Sequence, residues 1–189
     1  SPASGRTDAG DADVTGYDLN IPVLTTERLT LRAPTMADFP AWVAFRADPV
    51  RSQGVGGPVG EGAAFEKFGE ILGHWQLRGF GRFLVADRQT DEALGVIGPY
   101  HPPDWPEPEI AWSVFAAAEG RGVALEAARA SRDFAYQTLG WTTAISMIVP
   151  ENVRSIALAE RLGCTRDADY QHDDMGPMQV WRHPSPEDV

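Results

Sequence analysis

The sequence is short of cysteine, of positive charge and of long apolar runs. Its 189 residues include one cysteine, Cys164, which excludes an internal disulfide and any zinc site built on cysteines. Lysine and arginine number 16 against 27 aspartates and glutamates, a net charge of −11. So acidic a chain lacks the basic face that nucleic-acid phosphates require, which excludes nucleic acid as the main partner. A cationic partner such as an amine suits that charge. No run is long and apolar enough to cross a bilayer, and no signal peptide is visible, so no membrane partner and a cytoplasmic location are expected. The four histidines, His74, His101, His172 and His183, are scattered without metal-ligand spacing, so no metal is expected. A P-loop is absent, because no Gly-Lys-Ser/Thr occurs.

What is present reads as one globular domain, with 43% hydrophobic and 10% aromatic residues. Residues 1–20, rich in Ser, Gly, Asp and Ala, form a flexible tail; residues 21–183 are the domain; 184–189 are a second tail. Thr25 to Ala33 alternates around Leu29 and Leu31 as a first strand. A helix follows from Pro34-Thr35, with Phe39, Trp42, Val43 and Phe45 inward, and Asp48-Pro49 stops it. Arg51 to Gly60 reads as a mobile glycine-rich loop, either a connector or a substrate lid. Glu61 to Leu77 is helical, with Phe65, Phe68, Ile71, Leu72 and Trp75 as its core stripe. Arg82 to Asp87 and Ala93 to Ile97 form a hairpin. The proline-rich His101 to Pro108 arches over a surface or cleft, where Trp105 anchors the arch or touches substrate. With 6 Trp and 8 Phe the domain has more apolar surface than it easily buries, so a homodimer is expected.

The chemistry concentrates further on. A strand from Glu109 to Phe115 leads into Glu119-Gly-Arg-Gly-Val-Ala-Leu-Glu126 and a long helix from Val123 to Leu139. Thr142 to Val149 is the next strand, and a right-handed crossover makes the two strands parallel in an otherwise antiparallel sheet. Two glycines before a helix N-terminus leave backbone N–H groups open to an anion. The third glycine of a dinucleotide fingerprint is missing, since Leu125 stands there. The shorter Q/R-x-x-G-x-G/A pattern fits instead, as Glu119, Gly120, Arg121, Gly122, Val123 and Ala124. Asn152 caps a short helix to Leu162, and Gln179 to Arg182 is a last strand.

Four segments in order, Thr26-Glu-Arg-Leu-Thr-Leu-Arg32, Glu109 to Val114, Glu119 to Glu126 and Pro150 to Gly163, resemble the GNAT superfamily of acyl-CoA-dependent N-acetyltransferases. The branch is that of the RimJ/RimL-like ribosomal-protein N-terminal acetyltransferases. The resemblance implies an α/β acyl-CoA N-acyltransferase fold, a mixed sheet splayed at the cofactor site and flanked by about four helices. It implies that residues 119–124 bind the pyrophosphate of acetyl-CoA. The pantetheine arm then pairs with backbone of the strand carrying Trp112, Ser113 and Val114, around Ser113 and Val114, and Asn152 touches the same arm. Glu119 departs from the usual Gln or Arg.

Acetyl transfer to an amine needs a base for the ammonium, a donor for the oxyanion and a proton for the thiolate. Glu109, at the head of the splayed strand, is the first candidate base, with Asp167 and Asp169 second. The Tyr that many family members use as acid is replaced by Ala159, and the resemblance puts Ser155 in its place. Ser155, Leu158, Ala159 and Leu162 share one helical stripe. A non-catalytic acyl-CoA-binding domain is the alternative, kept open by Ala159 and Glu119.

Overall fold

The computed structural model describes residues 18–189; residues 1–17 of the expected tail lie outside that range. The first strand is two strands, β1 (Leu24–Thr25) and β2 (Leu29–Arg32), paired antiparallel. Thr26 breaks the expected run: its N–H donates to Leu29 O at 2.9 Å and its Oγ1 accepts from Leu29 N at 3.1 Å, closing a turn. Helix α1 (Phe39–Ala47) follows a 3-10 turn over Met36–Asp38, in which Asp38 accepts from Thr35 N and pairs with Arg32. Pro40 sits in the first turn of α1, where its missing N–H leaves no helical bond unmade.

The expected mobile loop is partly helical. Asp48 accepts from the N–H groups of Val50 and Arg51 and from the Arg51 guanidinium, which winds Arg51–Val55 into a 3-10 turn. Helix α2 (Glu61–Arg78) buries Phe68, Ile71 and Trp75, but Phe65 is 54% exposed and only its edge meets Phe39. Helical spacing put Phe65 in the stripe, yet its position lies at the rim of the buried face.

Strands β3 (Phe83–Asp87), β4 (Ala93–Tyr100) and β5 (Glu109–Val114) continue the antiparallel sheet. Helix α3 (Val123–Gln137) crosses to β6 (Ile145–Ile148), parallel to β5, and α4 (Val153–Arg161) follows. Two strands went unseen in the sequence, β7 (Thr165–Arg166) and β8 (Tyr170–His172). Both are short and mostly polar, and only pairing with β9 (Gly176–Arg182) makes them strands. The sheet order is β1-β2-β3-β4-β5-β6-β9-β7, with β8 also on β9, a mixed α/β sheet with four α-helices among the described residues.

Each face of the sheet has its own core. Leu31, Phe83, Ile97 and Ile110 meet Ala127, Ala128, Phe134 and Leu158 on the α3/α4 side. Leu84, Val96 and Phe115 meet Trp42, Phe45, Phe68 and Ile71 on the α1/α2 side. Fully burying one such side chain is worth about 1.5–3 kcal/mol, so this double packing fixes the sheet between its helices. Of the tryptophans and phenylalanines only Phe65 is exposed, so the fold buries most of the aromatic surface on which the homodimer expectation rests.

Candidate active site

The sheet is weakest where β5 meets β6. β5 pairs with β4 from Glu109 to Val114, but with β6 only at Glu109 and Ile145. Beyond that pair the strands diverge, and a cleft of about 670 Å³ opens between them, walled by the start of α3 and by α4. The last tie is a side chain: Ser146 Oγ donates to Ile110 O at 2.6 Å and is held by His183 Nε2 at 2.9 Å. Burial, with the Arg132 charge, takes His183 down to about 3, so the ring is neutral and serves as a fixed strut.

Glu109 sits at the apex of this wedge. It is 5% exposed, and its Oε2 accepts from Met147 N at 2.9 Å. That N–H is the first on β6 that diverging β5 backbone no longer satisfies, so the carboxyl group replaces a missing strand bond. Burial pushes Glu109 up to about 7, against the opposing effects of the Met147 N–H, the Trp105 indole and the Arg82 charge. The Trp105 N–H faces this carboxyl group but makes no hydrogen bond of ordinary geometry. Trp105 lies edge-on between Tyr100 and His172, which anchors the arch.

Strand parity decides which backbone faces the gap. Phe115 N donates to Leu94 O on β4, whereas Ile110 O points to Ser146 on β6. Alternation therefore turns the N–H and C=O of Trp112 and Val114 into the gap and those of Ser113 toward β4. Of the two residues around which pairing was expected, Val114 turns its backbone into the gap and Ser113 does not. Ser113 still lines the cleft, on the α1/α2 side.

At the open end, Gly122 has φ +71 and caps α3. Among the described residues the N–H groups of Gly122, Val123, Ala124 and Leu125 have no acceptor, while Arg121 N donates to Ala118 O at 3.3 Å. Of the residues expected to bind the pyrophosphate, Arg121 thus spends its N–H within the loop, and its side chain turns away to Asp87 and Ala117 O. Four converging N–H groups at a helix N-terminus are the donor set a pyrophosphate needs, so these residues fit coenzyme A. Arg28 braces the loop from behind, donating to Arg121 O at 2.7 Å and pairing with Glu126. Gly120 and Glu119 complete this wall of the cleft. Glu119 binds Arg51 and, at 2.7 Å, Arg154, joining the Arg51–Val55 turn to α4. Those two guanidiniums hold its carboxyl group below the usual range.

On the other wall, Asn152 Oδ1 accepts from Ser155 N at 3.2 Å and caps α4. Ser155 Oγ accepts from Trp112 Nε1 at 3.1 Å across the gap, a contact with no signal in the sequence. Its own O–H is not bound within the helix. Ala159 is fully buried. Asp167 and Asp169 stand outside the cleft, engaged with Arg182 and Arg166. Cys164 is buried and its thiol is pushed up to about 12, a packing residue.

A family model described as an acetyltransferase (GNAT) domain matches residues 28–165. Among solved structures, an acetyltransferase from Agrobacterium tumefaciens is 43% identical, with TM-score 0.79 over 87% of this chain and 95% of that one. A GNAT-family acetyltransferase from Bacillus anthracis is 20% identical, with TM-score 0.74 over 88% of this chain and 100% of that one. A RimL ribosomal-protein α-N-acetyltransferase solved with coenzyme A is 16% identical, with TM-score 0.69 over 86% of this chain and 97% of that one. At those lower identities the likeness is one of fold.

Proposed function

Because this chain belongs to the GNAT acetyltransferase family, we propose that it transfers an acetyl group from acetyl-CoA to a primary amine by direct attack in a ternary complex. The acceptor is a protein N-terminus, as in the RimJ/RimL-like branch, or a small-molecule amine. The observation that carries the reading is the coincidence, in one cleft, of a free N–H cradle at one end and a buried carboxyl group near pKa 7 at the other.

Gly122 to Leu125 hold the pyrophosphate, and Trp112 and Val114 offer backbone to the arm that follows it. Acetyl-CoA supplies the activated thioester. Glu109 Oε2 is committed to Met147 N, so Oε1 is the oxygen available to take the amine's proton. A pKa near neutrality leaves Glu109 both ionised enough to accept that proton and able to release it. Ser155 stands on the facing wall as proton donor to the departing thiolate. We place this activity in the cytoplasm; no helix of the described residues is long and apolar enough to cross a membrane.

Thiol release from acetyl-CoA, measured over a panel of amines and N-terminal peptides, tests the proposal. Turnover with at least one acceptor is expected. Tight coenzyme A binding without thiol release for any acceptor would instead establish a non-catalytic acyl-CoA-binding domain.

A further inference from the structure

On the α1/α2 face of the sheet, behind Glu109, lies a group of charges the chemistry above does not use. Arg46, from the last turn of α1, is 5% exposed, and Arg82, just before β3, is 8% exposed. Neither guanidinium forms an ion pair or a hydrogen bond among the described residues; Arg46 Nε is buried with no hydrogen-bond partner there, and its guanidinium lies 5.8 Å over the Trp42 ring. Buried guanidinium groups are ordinarily paired, and a buried donor without an acceptor needs an explanation. Arg82 lies 4.3 Å over the Tyr100 ring, which covers one face of the guanidinium and leaves its edge donors free. The two cations are close enough to disfavour each other: burial and the Arg82 charge together lower the pKa of Arg46.

The sheet floor beside them carries small side chains, with the Gly81 and Arg82 backbone close to Gly98. Register sets Tyr100 opposite Glu109 and Gly98 opposite Ala111, so the next pair along carries nothing larger than a methyl group. Ala111, Glu109 and Phe45, the neighbour of Arg46, all line the cleft. Neither arginine lines that cleft itself, but Tyr100, which Arg82 covers, stands opposite Glu109, and the Arg82 charge acts on both Glu109 and Arg46.

Charge balance then selects the acceptor. Burial works against ionising Glu70, but Arg82, Lys67 and Tyr100 hold its pKa below the usual range, so it is a carboxylate. Glu70, however, is paired with Lys67 at 3.1 Å, so only Glu109 is left to offset the two arginines. A plain ammonium would add to that positive surplus, whereas a zwitterion brings a carboxylate against it. Buried charge is tolerated only when compensated.

We infer that the acceptor is a small amine that also carries a carboxylate, an amino acid in the broad sense, with Arg82 and Arg46 receiving the carboxylate while Glu109 faces the amine. This rests on the acetyltransferase reading above and narrows it. Arginine suits the role because its planar fork matches a carboxylate's two oxygens.

The experiment compares matched pairs: α-, β- and γ-amino acids, each against the amine lacking its carboxylate. Thiol release gives kcat/KM for both members, and calorimetry on the coenzyme A complex gives their binding. The carboxylated member of at least one pair should be favoured on the order of a hundredfold, since leaving buried donors unpaired discriminates strongly. Arg82→Gln and Arg46→Gln should collapse that ratio toward unity by raising KM for the carboxylated member, and Arg82→Lys should restore part of it. Equal use of both members, or a preference unchanged in both glutamine variants, overturns the inference and leaves acetyl transfer standing. If no amine releases thiol, the acetyltransferase reading fails. Calorimetry then decides the carboxylate site alone: amino-acid binding lost in Arg82→Gln upholds it, and absence of binding to the wild type overturns it.

Discussion

Glu109→Gln is the most informative single change, because one proton should govern both activity and stability. Burial raises Glu109 from 4.5 to about 7. At about 1.4 kcal/mol per unit, ionising it in the folded state is less favourable than in the unfolded state by about 3 kcal/mol. Since the folded pKa is the raised one, the folded protein holds a proton between pH 4.5 and 7 that the unfolded chain has released. The associated stability is fully present below pH 4.5 and is lost as pH rises through 7. Above that both states are ionised and the loss is complete. Gln cannot titrate, and its side-chain oxygen can still accept from Met147 N. In urea titrations, the stability of Glu109→Gln relative to wild type should therefore improve by about 3 kcal/mol between pH 4.5 and 8. Other titrating groups cancel in this difference.

Activity should move the opposite way over the same interval. Wild-type kcat/KM should rise with pH and bend near 7 as Glu109 becomes a base. In Glu109→Gln that bend should vanish, with a loss on the order of a hundredfold at neutral pH. Raising pH should partly restore the variant, because free amine then appears without help. A stability difference flat across pH 4.5 to 8 would refute the burial argument. An unaltered pH–rate profile would refute the base and transfer its role to a water relay, since Asp167 and Asp169 face arginines outside the cleft.

Other outcomes follow from the same geometry. Gly122→Val places a β-branched residue at φ +71, where only Arg28 Nη2 would come near its Cβ, at 3.5 Å. The strain falls on the cradle backbone, and coenzyme A affinity by calorimetry should drop about tenfold or more. Ser155→Ala should lower kcat about tenfold, nearly independently of pH, with acetyl-CoA binding retained. Trp112→Phe keeps the ring's bulk but removes the donor to Ser155, so it should lower kcat by a smaller factor, and in Ser155→Ala it should add nothing further. Sedimentation at micromolar concentration should show a monomer, because Phe65 is the only exposed residue among the tryptophans and phenylalanines; a dimer would refute this.

The parts of the fold legible in the sequence were those that local pattern dictates. The Gly-x-Gly before Val123, the cap at Asn152 and the crossover from β5 to β6 depend on neighbours in the chain. What escaped depends on pairing across it. β7 and β8 carry no alternation and exist only because β9 offers an edge. Which side of β5 faces the gap could not be known without its register against β4, so pairing was expected around Ser113, whose backbone turns toward β4. Glu109 was visible as a carboxylate at a strand's head. Its burial arises only because β6 pulls away and leaves Met147 N to be satisfied. Arg46 was hidden most completely: helical spacing puts it beside Phe45 on the inward face, and an arginine there reads as the end of the apolar stripe.

Trp112 and Ser155 show how the site accommodates the missing tyrosine. Ala159 is fully buried against the sheet, so a large side chain there would have to displace packed core. One turn earlier, Ser155 lies on the same stripe but faces the cleft. A free serine hydroxyl would ordinarily turn back to its own helix. Here the Trp112 indole donates to Ser155 Oγ at 3.1 Å and draws the oxygen across the gap. An oxygen that accepts from Trp112 keeps its own O–H to donate. Serine is a weak acid, but a thiolate with pKa near 8.5 needs only a well-placed hydrogen bond to depart. The role proposed for Ser155 therefore rests on position more than on acidity, and position is what the tryptophan supplies.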